Sequence, residues 1–196
     1  MKGFFLDNIA IWISLLGLFI SVLNYFRDLI KIKLYISPLT NIKDVKTMDN
    51  KLVFPEDSVG MCFELKFLNT SKYQVGYFDL VFKDAKTNEC LPVFDQMGLP
   101  SDLQRERYMA LTLTEETPII NIMNGNEGII PPYSFKRFET IVFPKSQQIT
   151  VDVKYAKFSI IPNMKARHNK FCKHKTYTLY IEKDRLEKCK YNHSDQ

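Results

Sequence analysis

The chain has 196 residues and a formal net charge of +5, with a sequence pI of about 8.9. That charge is well below the charge density of a dedicated nucleic-acid-binding protein, so the composition argues against a nucleic-acid partner. The length allows one anchor plus one domain with its own core. Abundant Phe and Tyr with few Gly favour a β-rich core.

The first predicted element is a helix over the apolar run at residues 9–26. Eighteen residues at 1.5 Å rise reach about 27 Å, close to the thickness of a hydrocarbon core. The run ends in Asn24-Tyr25-Phe26-Arg27, without a small-residue cleavage site. We therefore predict a retained transmembrane anchor at residues 1–28 instead of a cleaved signal peptide.

Lysine and arginine are unevenly distributed around this anchor. Only Lys2 precedes it, whereas five basic residues follow it: Arg27, Lys31, Lys33, Lys43 and Lys46. The positive-inside rule then predicts a single-pass protein of the inner (cytoplasmic) membrane, with its N-terminus outside and its domain in the cytoplasm. Four widely spaced cysteines, read as free thiols, agree with a reducing compartment.

The non-bulky residues of the run are spaced by four, three, four and three positions, which places them on one helical stripe. This helix-packing stripe comprises Ala10, Ser14, Gly17, Ser21 and Asn24. Small residues let helix backbones approach closely, so the stripe predicts packing on a second copy or on a second membrane protein. Two alternatives remain: a plain anchor whose small residues align by chance, and a pore lined by Ser14, Ser21 and Asn24.

Alternating apolar and polar residues predict strands after the anchor. The first strand covers residues 29–36, and the others cover residues 61–67, 76–82, 89–94, 108–114, 135–143, 149–161 and 176–182. Segments 76–82 and 89–94 form a hairpin in this interpretation. The pattern predicts an all-β domain at residues 29–182, an antiparallel immunoglobulin-like β-sandwich, with a closed barrel as the runner-up. Residues 183–196 are a polar C-terminal tail.

Few residues carry recognisable chemistry. His168, Cys172 and His174, with Cys189 and His193 further on, have the residue types of a zinc site, but their spacing matches no standard one. A nucleophilic pair of Cys172 and His174 lacks an evident orienting carboxylate. We therefore predict no metal, no cofactor and no catalytic residues. Asn69-Thr70-Ser71 and Asn192-His193-Ser194 are glycosylation-type triplets that matter only in a secretory lumen.

The densest positive charge lies near the C-terminus. A candidate basic contact patch there comprises Lys165, Arg167, His168, Lys170, Lys173, His174 and Lys175. It is either a solvated hairpin loop or a contact for the phosphates of lipid, nucleic acid or a nucleotide, and lipid is the favoured partner because the predicted domain is tethered beside the membrane.

The layout resembles that of small single-pass bacterial proteins with an immunoglobulin-like cytosolic domain. These features predict a membrane-anchored, non-enzymatic interaction module whose sandwich docks a protein partner. The alternative is a self-assembling membrane effector that forms a pore or disrupts the bilayer in bacterial stress or anti-phage defence.

Overall fold

The computed structural model describes residues 2–27, 31–105, 107–157 and 172–191. Helix α1 (Lys2–Arg27) comes first, and antiparallel strands in two sheets account for most of the remaining described residues. A second, four-residue helix, α2 (Lys183–Leu186), comes after the last strand. The main part of the chain is therefore all-β, as predicted, and its strands form two separate sheets instead of a closed barrel.

The larger sheet has six strands. They are β1 (Ile32–Thr47), β2 (Gly60–Asn69), β4 (Val93–Phe94), β5 (Tyr108–Thr112), β6 (Ile119–Ile120) and β8 (Ser134–Val142). The smaller sheet is built from β3 (Val75–Asp84), β7 (Gly128–Ile130), β9 (Gln148–Lys157) and β10 (Cys172–Tyr180). The spatial orders are β4-β8-β2-β1-β5-β6 and β10-β9-β3-β7.

One hydrophobic core fills the space between the two sheets. Successive side chains of a strand point to opposite faces, so every second residue of β2 and β9 enters this core. Those inward residues are Met61, Phe63, Leu65, Phe67, Ile149, Val151, Val153 and Tyr155, all fully buried. The alternation in the sequence therefore identified the main core correctly.

A second core covers half of the outer face of the larger sheet. Cys62 and Ile141 point away from the main core, and Phe54 and Tyr108 pack with them. Phe54 belongs to the loop between β1 and β2, and its ring centroid lies 5.3 Å from that of Phe94. Because loops supply part of this core, strand alternation alone did not predict it.

Strand β1 is longer than predicted, since it continues past residue 36 to Thr47. Its register with β2 shifts between Pro38 and Asn41, which marks a bulge. Around Pro38 the strand pairs with β2 alone, because β5 joins it only from Ile42 onward. A proline without an N–H is tolerated where one strand edge is open, so Pro38 interrupts the register without ending the strand.

The predicted hairpin at residues 76–94 is only partly correct. The N–H of Asp84 donates to the O atom of Glu89 at 2.9 Å, and the N–H of Leu91 donates to the O atom of Phe82 at 2.9 Å. The chain then crosses to the larger sheet, where Phe94 pairs with Ile141. The segment therefore links the two sheets.

The predicted transmembrane anchor is wrong, because no helix among the described residues is long and apolar enough to cross a membrane. The single-pass inner-membrane localisation and its orientation, which rested on that anchor, are therefore also wrong.

The buried side chain of Asn69 joins the two sheets at one end of the sandwich. Its Nδ2 donates to the O atoms of Tyr73 (2.8 Å), Ile130 (3.3 Å) and Pro131 (2.9 Å). Its Oδ1 accepts from the N–H (3.0 Å) and the hydroxyl (2.6 Å) of Ser71. Asn69 is 0% exposed, so the folded chain cannot carry a glycan at this triplet.

Replacing Asn69 with Ala should lower the free energy of unfolding by about 2–4 kcal/mol, because buried carbonyl groups lose their donor. Urea unfolding followed by circular dichroism measures the loss. Asn124→Ala, at an exposed position, is the matched control and should change stability by less than about 0.5 kcal/mol. Equal losses in the two variants would contradict the role of Asn69.

Candidate functional site

Half of the outer face of the larger sheet is open to solvent and carries aromatic and basic side chains. Tyr35, Lys66 and Arg137 form one cross-strand row over β1, β2 and β8. Phe135 lies opposite Leu68 in the neighbouring row. Tyr35 and Phe135 are 54% and 56% exposed. We call these five residues the aromatic face.

Two buried carboxylates mark the boundary between the aromatic face and the second core. Glu64 and Glu139 are cross-strand partners and are 5% and 4% exposed. Arg137 Nε lies 2.7 Å from Glu64 Oε1 and 2.8 Å from Glu139 Oε1. Lys66 also pairs with Glu64, and the N–H of Asn121 donates to Glu139 Oε2 at 2.8 Å. These contacts compensate the buried charges and hold the Arg137 side chain in one position.

This ion cluster shifts the pKa of neighbouring groups. Burial alone would raise the pKa of Glu64, but the hydrogen bond from Lys66 and the positive charges of Arg137 and Lys66 outweigh it and lower that pKa. Burial, followed by the charges of Glu139 and Glu64, raises the pKa of Cys62 to about 12. The Cys62 thiol therefore stays protonated at neutral pH and is a poor nucleophile.

A second polar network lies on the outer face of the smaller sheet, around Asp152 of β9. Its carboxylate accepts hydrogen bonds from Lys83 Nζ (2.8 Å) and Thr176 Oγ1 (2.5 Å). His174 Nε2 lies 3.5 Å from Asp152 Oδ1. Burial alone would raise the pKa of Asp152, but these hydrogen bonds and the charges of Lys83 and His174 lower it. Sequence reasoning missed Asp152 because its partners come from two other strands, β3 and β10.

The candidate basic contact patch is only partly described. Its members outside the described residues are Lys165, Arg167, His168 and Lys170. Lys173 and His174 are exposed on β10, whereas Lys175 is partly buried. Lys175 Nζ donates to the O atom of Ile32 at 3.2 Å. His174 is thus directed toward Asp152 and Lys175 toward β1, and the contact of the patch with a partner stays a prediction.

The helix-packing stripe lies on α1, where Ser14, Gly17, Ser21 and Asn24 are exposed and the side chain of Ala10 is not described. Ser21 Oγ donates to the O atom of Gly17 at 2.8 Å, a bond within the helix. Apart from the backbone of α1 itself, a Cβ added to Gly17 would meet no atom of the described residues within 4 Å. The fold of the single chain therefore does not require a glycine there.

Metal-ligating side chains do not converge in the part of the chain that the structure describes, where no three His, Cys, Asp or Glu residues could hold a metal ion. His168 and His193 lie outside that part. All four cysteines are free thiols, as predicted. Burial raises the pKa of Cys189 to about 11, although a hydrogen bond from Asn41 Nδ2 at 3.2 Å opposes this rise.

A shallow groove of about 480 Å³ lies beside α2. Phe143, Lys145, Glu187, Cys189 and Tyr191 contribute to its lining. The raised pKa of the Cys189 thiol makes it a poor nucleophile, and the lining contains no histidine to serve as a base. Among its described lining residues, the groove therefore offers no pair of nucleophile and histidine base.

The sequence contained a partial signal for the aromatic face. Charged residues at outward positions of two apolar strands, such as Glu64 in β2 and Glu139 in β8, suggest a polar cluster on a sheet. Their pairing depends on the register of β2 against β8, which are far apart in the sequence. The register between β2 and β8 was therefore the information that the sequence pattern did not supply.

No protein family matches this chain, and no match was found among curated proteins or solved structures. Its function has to be inferred from its own surfaces. Large apolar side chains are exposed on the aromatic face and, separately, on α1.

Replacing Arg137 with Met should lower the free energy of unfolding by about 2–4 kcal/mol at neutral pH, because two buried carboxylates lose a shared cation. The lowered pKa of Glu64 makes its contribution complete above the unfolded value of 4.5, and this contribution disappears as pH falls through the folded pKa. The difference between wild type and Arg137→Met should therefore shrink as pH falls below 4.5. Urea unfolding over a pH series measures it.

Lys154→Met is the control for this prediction. Lys154 Nζ lies 2.7 Å from Asp79 Oδ2, but both side chains are about half exposed. An exposed pair contributes less than about 1 kcal/mol, so this variant should lose little stability at any pH. A loss in Arg137→Met that is no larger than in Lys154→Met would contradict the buried cluster's importance.

Proposed function

We propose that this chain is a non-enzymatic interaction module with two contact surfaces. The β-sandwich docks a protein partner on the aromatic face, and helix α1 packs on the same helix of a second copy. The exposure of Tyr35 and Phe135 beside Arg137 is the observation that carries the first contact. The exposed stripe of α1 carries the second.

The composition of the aromatic face supports protein docking. Tyrosine and arginine are enriched among the residues that contribute most to the affinity of protein interfaces. Tyr35, Phe135 and Arg137 lie on two strands of one sheet, so the backbone holds them at fixed spacing. Leu68 lies beside Phe135 and adds apolar area to the same surface.

Rigidity is the second argument for this surface. Binding costs free energy when flexible side chains become ordered, and a side chain held in place before binding avoids part of that cost. Arg137 is 54% exposed, yet its Nε already contacts Glu64 and Glu139. A partner would therefore meet an arginine whose position is set by this chain.

The sandwich that presents the aromatic face is immunoglobulin-like in this proposal. Its two antiparallel sheets enclose one core and leave part of one sheet open. Fold alone does not establish function, so the proposal depends on the side chains of the open half.

Helix α1 is the second contact surface because it exposes large apolar side chains on all sides. Trp12, Leu18 and Phe19 are 71%, 62% and 59% exposed. An apolar helix surface of this size needs a cover in the assembled protein. Every copy of the chain exposes the same apolar helix surface. A second copy therefore offers a matching surface that covers it.

Gly17 supports self-association through the stripe. Glycine inside a helix costs about 1 kcal/mol relative to alanine. Apart from the backbone of α1 itself, none of the described residues lies within 4 Å of a Cβ built at Gly17, so no contact of the described fold accounts for that cost. A glycine at this position lets the backbone of a second helix approach closely, which gives Gly17 a function in self-association.

A photo-reactive cross-linker at position 135 of the full chain should join one protein partner when the chain is expressed in its native cells. Adding Tyr35→Ala should reduce the yield of this adduct at least tenfold, because large interface aromatics often contribute about 2 kcal/mol or more, roughly thirtyfold in affinity. Mass spectrometry identifies the adduct, and its yield is read from gels.

The same cross-linker at Tyr180 is the matched control. Tyr180 is 72% exposed but lies on β10 of the smaller sheet. Adducts of equal yield at both positions, or an adduct at position 135 that Tyr35→Ala leaves unchanged, would refute docking on the aromatic face.

Self-association of α1 predicts that full-length protein forms a dimer or larger assembly in mild detergent. The detergent is included because it disperses nonspecific apolar aggregates. Ser14→Leu and Gly17→Leu should each shift the mass to that of a monomer, because a bulky side chain on the stripe separates the helices. Light scattering coupled to size-exclusion chromatography measures the mass.

Phe19→Leu is the control for this prediction, since position 19 lies opposite the centre of the stripe at 100° per residue. Like the two stripe variants, it introduces a leucine, but it should leave the assembly intact. A wild-type monomer would refute self-association, and dissociation by Phe19→Leu as well would show that the stripe is not the contact.

A further inference from the structure

The end of the sandwich where β1, β8 and β10 begin carries an unusual concentration of lysine. We call it the lysine end and define it by its lysines. These are Lys31, Lys33, Lys72, Lys136, Lys173 and Lys175. They come from both sheets, and Lys31, Lys33, Lys72 and Lys173 are exposed.

Acidic residues do not occur in the segments that form this end. The segments are residues 31–35, 67–76, 129–136 and 172–175, and none of them contains Asp or Glu. Within the described residues, Lys33, Lys173 and Lys175 form no ion pair. Elsewhere on the sandwich, Lys66, Lys83 and Lys154 all pair with carboxylates. The lysine end is therefore a local excess of positive charge among the described residues.

Lys175 reaches across the gap between the two sheets to the segment that carries Lys33. Lys175 Nζ of β10 donates to the O atom of Ile32 in β1 at 3.2 Å. Burial lowers the pKa of Lys175, and the neighbouring charges of Lys173 and Lys33 lower it further. Lys33 follows Ile32 in the chain, and Lys173 lies on the same face of β10 as Lys175, so three positive charges share this edge and an added anion would reduce their repulsion.

Two other lysines at this end lie against aromatic rings. Lys72 Nζ is 5.1 Å from the centroid of the Tyr73 ring. Lys136 Nζ is 6.0 Å from the centroid of the Phe138 ring. Contacts between cations and rings restrict these side chains without removing their charge.

Asn69 holds the loops of the lysine end in place. Its hydrogen bonds to Tyr73, Ile130 and Pro131 fix the chain on both sides of Lys72 and before Lys136. The backbone next to Lys72 and before Lys136 is therefore held in place before any ligand arrives, which lowers the entropic cost of binding.

We propose that the lysine end binds an anion that presents several phosphate groups at once. Lysine suits phosphate as a compact positive charge with three donors. No arginine occurs in the segments of this end, so planar bidentate recognition of carboxylate is not its chemistry. The phosphates come either from a free polyphosphate or from phospholipid headgroups, which share this chemistry.

The proposal goes beyond the protein-docking function and does not depend on it. The aromatic face and the lysine end have no residue in common. Their tests also separate them, because the cross-linking yield at position 135 does not report on anion binding.

Binding is tested with full-length protein and two probes. Inorganic tripolyphosphate, titrated by calorimetry, stands for the free source. Phosphatidylcholine vesicles with and without phosphatidic acid, used in flotation, stand for the lipid source. Vesicle binding is compared between protein variants that all keep α1, so any contribution of the helix to vesicle binding cancels.

The double variant Lys33→Gln with Lys173→Gln should weaken binding about thirtyfold, since each lysine near a phosphate surface contributes roughly a fivefold change in affinity. Lys51→Gln with Lys86→Gln removes the same charge from two exposed lysines elsewhere. This control should change binding less than about twofold, and binding should weaken as salt is added.

Tripolyphosphate binding that only the first double variant loses supports a free polyphosphate ligand. Binding to phosphatidic acid vesicles alone, with the same selective loss, supports headgroups as the source. Absence of binding to both probes, or equal loss in the two double variants, would overturn the proposal. Tighter binding of single-stranded DNA than of either probe would overturn it as well, because the lysine end would then be a nucleic-acid surface.

Discussion

The buried amide of Asn69 is the contact on which one end of the structure depends. Asn69 is the last residue of β2 in the larger sheet. Its amide donates to the O atom of Ile130, the last residue of β7 in the smaller sheet. The same side chain fixes the loops that begin at Ser71 and Pro131. A hydrophobic core can hold two sheets together, but it cannot by itself satisfy carbonyl groups that turn inward at their ends. Without this amide, the loops around Lys72 and Lys136 would lose their common support.

Glu64, Arg137 and Glu139 play a related role on the outer face of the larger sheet. On one side of them the second core covers the sheet, and on the other side the sheet is open. Buried charges are costly unless they are paired, so the cluster exists only where a cation can reach both carboxylates from the solvent side. Arg137 is such a cation, because its Nε contacts both carboxylates while its side chain remains 54% exposed. The boundary that stabilises the sheet therefore also positions the arginine of the aromatic face.

Prediction from sequence succeeded for elements whose signal is local. The alternation at residues 61–67 identified β2 and its inward residues, and the strand predicted at residues 149–161 overlaps β9. It failed where the outcome depended on distant segments. The strand predicted to end at residue 36 continues through Pro38, because that part of β1 pairs on one side only and tolerates a proline. The segment after Glu89 did not stay in a hairpin, because Phe94 pairs with Ile141 instead. The predicted anchor was wrong for the described residues, and the register that unites Glu64 with Glu139 had no local signal.

The sequence by itself determined the all-β character of the domain, the inward faces of its main strands and the excess of lysine, since each depends on residue types at short spacing. The tertiary structure alone decided that Tyr35, Phe135 and Arg137 share one open surface and that Lys175 of β10 reaches the β1 backbone next to Lys33. These residues lie on strands separated by many positions in the chain, and a shift of one residue in the pairing would turn each side chain to the opposite face. Register and sheet packing are collective properties of the folded chain, so the surfaces proposed here for binding could be recognised only in three dimensions.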